Sequence, residues 1–268
     1  MKKLLISSLL LLATVATQAQ MDDKFYYPKK AKTITLDSLQ FKEQNYYVEN
    51  DTINTVVISP KQKAKQAVVL YFQGAGGNCM NYAGYVKPLV NDGYTAIMIS
   101  MRGYGKSSGK PTHLNIASDA QTVFNEIQKN PDFKNKKIII YGASMGTQVA
   151  VNLTKNNQDK ISGLIVDGVI SSFTEIAVSK TPEAQHQMIR MYVTSPYSAA
   201  EDIKNIQSVP VLFIHSKTDK DVPFSQCETV YNNTKSKKEL WIYEGDHLQA
   251  PKLYPSLLVQ KTNALLQL

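Results

Sequence analysis

The stretch Ile138-Ile139-Ile140-Tyr141-Gly142-Ala143-Ser144-Met145-Gly146-Thr147-Gln148-Val149-Ala150 passes from an apolar β-branched run, through a glycine-flanked turn, into helical periodicity. Its centre, Gly142 to Gly146, fits G-x-S-x-G, in which a strained strand-to-helix turn lifts a serine hydroxyl above a parallel sheet. The two glycines have a steric role, because strand and helix approach too closely at such a bend to leave room for side chains there. Ala143 is small for the same reason. The pattern alone is weak, since the chain matches it again at Gly105-Lys106-Ser107-Ser108-Gly109. Only the Ser144 copy follows a buried-type strand, Lys137 to Tyr141, and precedes apolar helix positions at Val149, Ala150 and Leu153. Ser107 lies among Gly, Lys and Pro, as a loop residue would.

Outward from this turn the chain alternates. Upstream, Phe41–Glu49 and Thr52–Ser59 read as an opening antiparallel hairpin turning at Asn50-Asp51. Strand Ala67–Phe72, a helix near Met80–Asn91, strand Tyr94–Ser100 and a helix over Ile116–Lys129 lead into the turn. Downstream come strand Gly163–Val166, strand Val209–His215, helix Phe224–Asn232, strand Glu239–Tyr243 and a closing helix over Leu253–Leu266. This βαβ rhythm predicts eight strands, the later six parallel. One interruption, 168–207, reads as a short lid or a packing segment. It carries Phe173, Met188 and Tyr192, which would line a pocket if it closes over the sheet.

At 268 residues and 43% hydrophobic, the chain is long enough for one domain that buries about three quarters of its unfolded surface. Residues 1–19 read as a secretory signal peptide: Lys2 and Lys3, an apolar run from Leu4 to Leu12, and small residues at Thr17 and Ala19 ahead of a cut. That run is too short to span a membrane, which needs about 20 residues. Export to a periplasmic or extracellular space is expected, with residues 20–268 as a single domain. Removing the signal leaves 28 basic residues against 22 acidic, a net charge of +6. The lysines cluster at turns without interleaved aromatics, which argues against a nucleic-acid partner. Cys79 and Cys227 form no C-x-x-C pattern and read as buried free thiols, although export would permit a bridge. The four histidines have no metal-ligand spacing, so neither a metal nor another cofactor is expected.

Serine nucleophiles need a base and a carboxylate to orient it. Asp219 follows the Val211–Ile214 run and His247 follows the last strand. Parallel strands would carry both to the sheet edge that holds Ser144, in the chain order Ser, Asp, His. Asp221 and Asp167 are the other candidate acids. His113 and His215 compete as bases, but His113 sits in a Pro-Thr-His loop with no carboxylate of suitable placement and His215 ends a strand. His186 reads as a surface or packing residue. An oxyanion would be held by the Met145 backbone N–H at the start of the elbow helix, and by that of Ala75 in the glycine-rich stretch Gln73–Asn78. That stretch lacks the Lys-Ser/Thr of a phosphate loop.

These motifs together resemble the α/β-hydrolase superfamily, in particular its compact serine aminopeptidase-like, alpha/beta hydrolase domain members, over roughly residues 55–268. Arg102-Gly103-Tyr104-Gly105-Lys106-Ser107-Ser108-Gly109 resembles the family's R-G-Y-G-x-S-x-G, which gives Ser107 a structural role. His215–Pro223 is similar to H-G-x-x-D-x-x-V-P and implies Asp219 as the acid, while Gly245-Asp246-His247 resembles G-x-H. The resemblance implies an α/β-hydrolase fold: an eight-stranded, mostly parallel sheet with helices on both faces and a short lid insertion after strand six. Two positions depart from the pattern. Gln73 replaces the usual histidine of the oxyanion loop, and Ser216 replaces the glycine after His215. The expected activity is hydrolysis of a small-molecule acyl substrate, first of all a carboxylic ester. A peptidase or thioesterase using the same three residues, and a non-catalytic binding protein on the same fold, are the alternatives.

Overall fold

Eight extended runs assemble into one twisted sheet in the computed structural model, which describes residues 21–268; the predicted signal peptide lies outside the described residues. The strands are β1 (Gln40–Val48), β2 (Asp51–Ser59), β3 (Ala67–Phe72), β4 (Thr95–Ile99), β5 (Lys137–Ala143), β6 (Gly163–Asp167), β7 (Val211–Ser216) and β8 (Lys238–Tyr243). Their order across the sheet is β8-β7-β6-β5-β3-β4-β2-β1. Strands β3 to β8 are mutually parallel, and β1 and β2 run antiparallel at one edge. The hairpin turns one residue earlier than its sequence suggests. Asp51 pairs with Val48 inside the ladder, and the bend falls at Glu49-Asn50, with Glu49 at φ 56°. The Asp51 carboxylate accepts from Arg102 and from the Ser108 hydroxyl, which holds it against the sheet.

Alternation along the central strands divides the core into two layers. Val68, Leu70 and Phe72 join one cluster, and Val69 and Tyr71 the other. The first is covered by α2 (His113–Lys129), α3 (Gly146–Asn156) and α6 (Phe224–Asn233), and the second by α1 (Cys79–Asn91) and α7 (Pro255–Leu265). Helix α2 begins three residues ahead of its apolar stripe, because Thr112 and Asn115 form a reciprocal capping box. The 168–207 segment carries α4 (Phe173–Ser179) and α5 (His186–Tyr192). Among the described residues no helix is long and apolar enough to cross a membrane. Cys79 and Cys227 are buried and unbonded, and burial raises both thiol pKa values, that of Cys227 to about 12.

The arginine of the Arg102–Gly109 loop is mostly buried and pairs with Asp119 at 2.6 Å and Asp51 at 2.8 Å. Ser107 is buried too. Its hydroxyl donates to Ser100 O at 2.7 Å and accepts the Asn54 backbone N–H at 2.8 Å, so the second G-x-S-x-G serine serves to lock a loop to β2.

Candidate active site

Between the end of β5 and the start of α3, Ser144 takes φ 51°, the left-handed region that non-glycine residues rarely enter. Hydrogen bonds hold it there. Its N–H donates to Asp167 O at 2.8 Å, and its carbonyl accepts from the Thr147 N–H at 2.9 Å and hydroxyl at 2.6 Å. The flanking glycines are required by contact. A Cβ on Gly146 would stand 2.2 Å from Phe72 O, and one on Gly142 would stand 2.7 Å from Ala150 Cβ and Thr147 Cα. The side chain at Gly74 is excluded as well, since its Cβ would meet Tyr82 Oη at 2.8 Å and Ser144 Cβ at 3.3 Å.

The parallel register brings the loops after β7 and β8 to the same sheet edge. There Asp219 Oδ2 lies 2.6 Å from His247 Nδ1. The second carboxylate oxygen accepts the backbone N–H groups of Asp221 and Val222, each at 2.8 Å. Burial alone would raise the Asp219 pKa. The His247 hydrogen bond and charge, joined by the two backbone donors, outweigh it and leave the carboxyl below its ordinary value. Asp219 is therefore held as an anion, and it occupies the Nδ1 side of the His247 ring. The ring rests on bare backbone: a Cβ on Gly168, itself at φ 61°, would meet His247 Cε1 at 2.6 Å. Ser216, one of the two departures from the family pattern, donates its hydroxyl to Gly245 O at 2.6 Å and so ties the acid loop to the histidine loop.

The other candidates are not bonded to His247. Asp221 lines the rim of the cavity that Ser144 and His247 share, but its side chain is exposed and stands 3.8 Å from Lys180 Nζ. Asp167 is fully buried, with Oδ2 accepting from Tyr141 Oη at 2.9 Å and Oδ1 without a hydrogen-bond partner. His215 is buried, with Nε2 3.0 Å from Val222 O, and braces the acid loop. His186 is half-buried against Thr181 O. The expectation that His113 has no carboxylate is wrong: Asp22, 91 positions upstream, places Oδ1 3.2 Å from its Nε2. His113 is buried behind Phe25 and is not among the residues that line the cavity with Ser144.

Ser144 and His247 line one cavity of about 560 Å³ together with Ala75, Gly76, Tyr82 and Met145. Met145 is the N-cap of α3, and no side chain caps the first turn of that helix. The Ala75 peptide is held from behind, its carbonyl accepting the Tyr27 N–H at 2.8 Å and the Tyr104 hydroxyl. These bonds brace the loop in which Gln73 stands for the family's histidine. The lining expected from the 168–207 segment needs correction. Phe173 turns into the core, and Met188 and Tyr192 point to solvent; Ile176, Ala177, Ile189 and Val193 line the cavity instead. A helix seven residues long shows no readable stripe, so its inward face was not evident. Sequence reasoning also missed Tyr82, placed by the α1 helix that follows the glycine loop, and Met21 and Phe25 from the leading segment.

Asp167 carries the largest pH consequence. Burial pushes its carboxyl up to about 7, against the lowering influence of the Tyr141 hydroxyl and of His247. Its ordinary value is 3.8. Between these two values the folded protein holds a proton that the unfolded chain has lost, so this group's stabilisation is complete below the lower value and fades as pH rises through the upper one. Asp167→Asn is expected to be less pH-sensitive than wild type by a few kcal/mol between pH 4 and 8. Urea unfolding midpoints at both ends of that range test it, and equal slopes in the two proteins would assign the dependence to other groups.

A family model described as serine aminopeptidase, S33, matches residues 63–198. The chain belongs to this α/β-hydrolase family. The fission-yeast protein bem46 is 30% identical over 189 residues, which is 69% of this chain and 62% of that protein, so the chain spans under two thirds of this relative. Among solved structures, an esterase of Pyrococcus furiosus superposes with a TM-score of 0.69 at 18% identity, covering 91% of this chain and 97% of that one. Acetyl xylan esterase 1 of a Thermoanaerobacterium species gives 0.67 at 17% identity, covering 94% and 93%. At those identities the structural likeness speaks for the α/β-hydrolase fold alone.

Proposed function

We propose that this α/β hydrolase is an exported serine esterase. The observation that carries the proposal is the sharing of one cavity by Ser144 and His247 while Asp219 grips His247 Nδ1 at 2.6 Å. In this reading His247 takes the Ser144 proton as Oγ attacks the acyl carbonyl. The Met145 and Ala75 N–H groups hold the developing oxyanion, each worth roughly 3 kcal/mol of barrier. His247 then protonates the departing alkoxide, and a water deprotonated by His247 releases the acid and restores Ser144. Asp219 keeps the imidazole in the required tautomer and stabilises its charged form. An ester suits the cavity best, because its lining is predominantly apolar. The signal-like residues 1–19 motivate export to the periplasm or beyond, which detection of a mature chain beginning at Gln20 outside the cytoplasm would test.

The function is tested by fluorophosphonate labelling followed by a panel of aryl esters, thioesters and aminoacyl amides. A single adduct on Ser144 with ester turnover is expected. Turnover of aminoacyl amides alone would replace the esterase by an aminopeptidase, and turnover of thioesters alone by a thioesterase. A folded protein that takes no label would point to a binding protein.

A further inference from the structure

The chain ahead of β1 is built into the site. Met21, Lys24, Phe25 and Tyr27 line the same cavity as Ser144 and His247, and all four lie outside residues 63–198, the stretch matched by the family model. This segment is pinned at both ends. At its start, Asp22 Oδ2 accepts the His113 backbone N–H at 2.8 Å, and Oδ1 stands 3.2 Å from His113 Nε2. Tyr26 Oη lies 2.7 Å from the other ring nitrogen, Nδ1. A neutral imidazole satisfies both partners: its one N–H goes to the carboxylate while the phenol donates to Nδ1. Burial, which lowers the His113 pKa to about 3, keeps the ring neutral. The ring stacks on Phe173 with centroids 3.5 Å apart, and Phe25 meets the two rings edge-on at 5.0 and 5.8 Å. At the far end, the Tyr27 and Lys29 N–H groups donate to Ala75 O and Gly77 O, each at 2.8 Å.

A wall held in this way cannot swing aside for a longer ligand. Packed, rotamer-locked side chains exclude excess volume by strain. Phe25 is buried in its aromatic cluster, and Met21 is half-buried against the same core. At about 30 Å³ for each water-sized group, a cavity of about 560 Å³ holds roughly nineteen of them. Ile176, Ile189 and Val193 add further apolar lining to the same cavity.

We infer that Met21–Tyr27 is the specificity wall of the acyl cavity, and that the acyl group it selects is an apolar chain of medium length. This rests on the reading of Ser144 as an acyl-transfer nucleophile. The wall sets the far limit of the chain, and the Asp22–His113–Tyr26 cluster is its positioning device.

The test uses the full chain and p-nitrophenyl n-alkyl phosphonates with alkyl groups from methyl to hexadecyl. Ser144 Oγ attacks phosphorus, p-nitrophenolate leaves, and the labelling rate reads the cavity whatever bond the enzyme cleaves naturally. Wild-type rates are expected to climb by up to about fourfold per methylene, reach a maximum at medium length and then fall. Phe25→Ala should move the maximum to longer chains and raise the dodecyl-to-butyl ratio roughly tenfold, the yield of about two further methylenes. Met21→Trp should move it to shorter ones. Asp22→Asn leaves the wall's volume in place but removes the carboxylate from His113, and should flatten the fall beyond the maximum. Opposite shifts in the first two variants are something a merely structural segment would not produce. If Phe25→Ala fails to fold, the half-buried Met21→Trp still decides the question. An unchanged profile in the folded variants overturns the wall and leaves the esterase reading intact. Shifted profiles in a protein that cleaves only amides support the wall and remove the ester. A wild type that takes no label overturns both.

Discussion

Ser144→Ala is expected to lower ester turnover by on the order of 10⁶-fold, to the level supplied by binding and oxyanion contacts alone. The reason is local. The hydroxyl at this position is presented by a left-handed backbone at the head of α3, and alanine keeps the turn while deleting the one atom that bonds to the acyl group. His247→Ala should lose about as much, because nucleophile and base act as a unit, and the double variant should be scarcely worse than either single one. Single-turnover kinetics with an aryl ester, alongside circular dichroism to establish folding, check this result. Residual turnover within a hundredfold of wild type would place the nucleophile elsewhere.

The second large effect separates three carboxylates that stand close together. Asp219→Asn is expected to cost about 10⁴-fold in kcat with little change in KM. An amide there would favour the wrong imidazole tautomer at the 2.6 Å contact with Nδ1. Asp221→Asn should stay within a few-fold of wild type, because its side chain is exposed and only its backbone N–H serves the acid loop. Asp167→Asn belongs with Asp221 in activity, since its carboxyl bonds Tyr141 and carries its effect in stability. Should Asp167→Asn lose activity as heavily as Asp219→Asn, the roles of the two acids would have to be exchanged.

Features that depend on neighbouring residues were readable in the chain. Strands β3 to β8 are apolar runs separated by helical stretches, and a right-handed crossover rule then makes them parallel. The Ser144 turn carries its own steric signature in Gly142 and Gly146. Asp219 and His247 were candidates because each follows the end of a predicted parallel strand, and the resemblance of His215–Pro223 to H-G-x-x-D-x-x-V-P singled out Asp219 from Asp221; the structure joins the two at 2.6 Å. Features that depend on distant contacts were not readable. Nothing near His113 announces Asp22, and a segment rich in Tyr and Lys gives no sign that Phe25 and Tyr26 are buried. Inward and outward faces of α4 and α5 are set by what they pack on, so Phe173 went to the core and Ile189 to the cavity. Asp51 lies in the hairpin ladder, where contacts from Arg102 and Ser108 hold it.

The clasp between Asp22 and His113 also has a consequence in time. Its partners are 91 positions apart and Phe25 reaches Phe173 across 148, whereas β3 pairs with β4 across 27 positions and with β5 across 70. Ordering so long a loop costs more chain entropy, and the contacts that reward it exist only once α2 and α4 are in place. The expected order is that the sheet condenses first and the leading segment docks last. Weakening the clasp should leave the folding rate almost untouched and quicken unfolding, as expected of contacts made after the transition state. On the proposed reading, the turn that carries Ser144 would form before the wall that selects what it attacks.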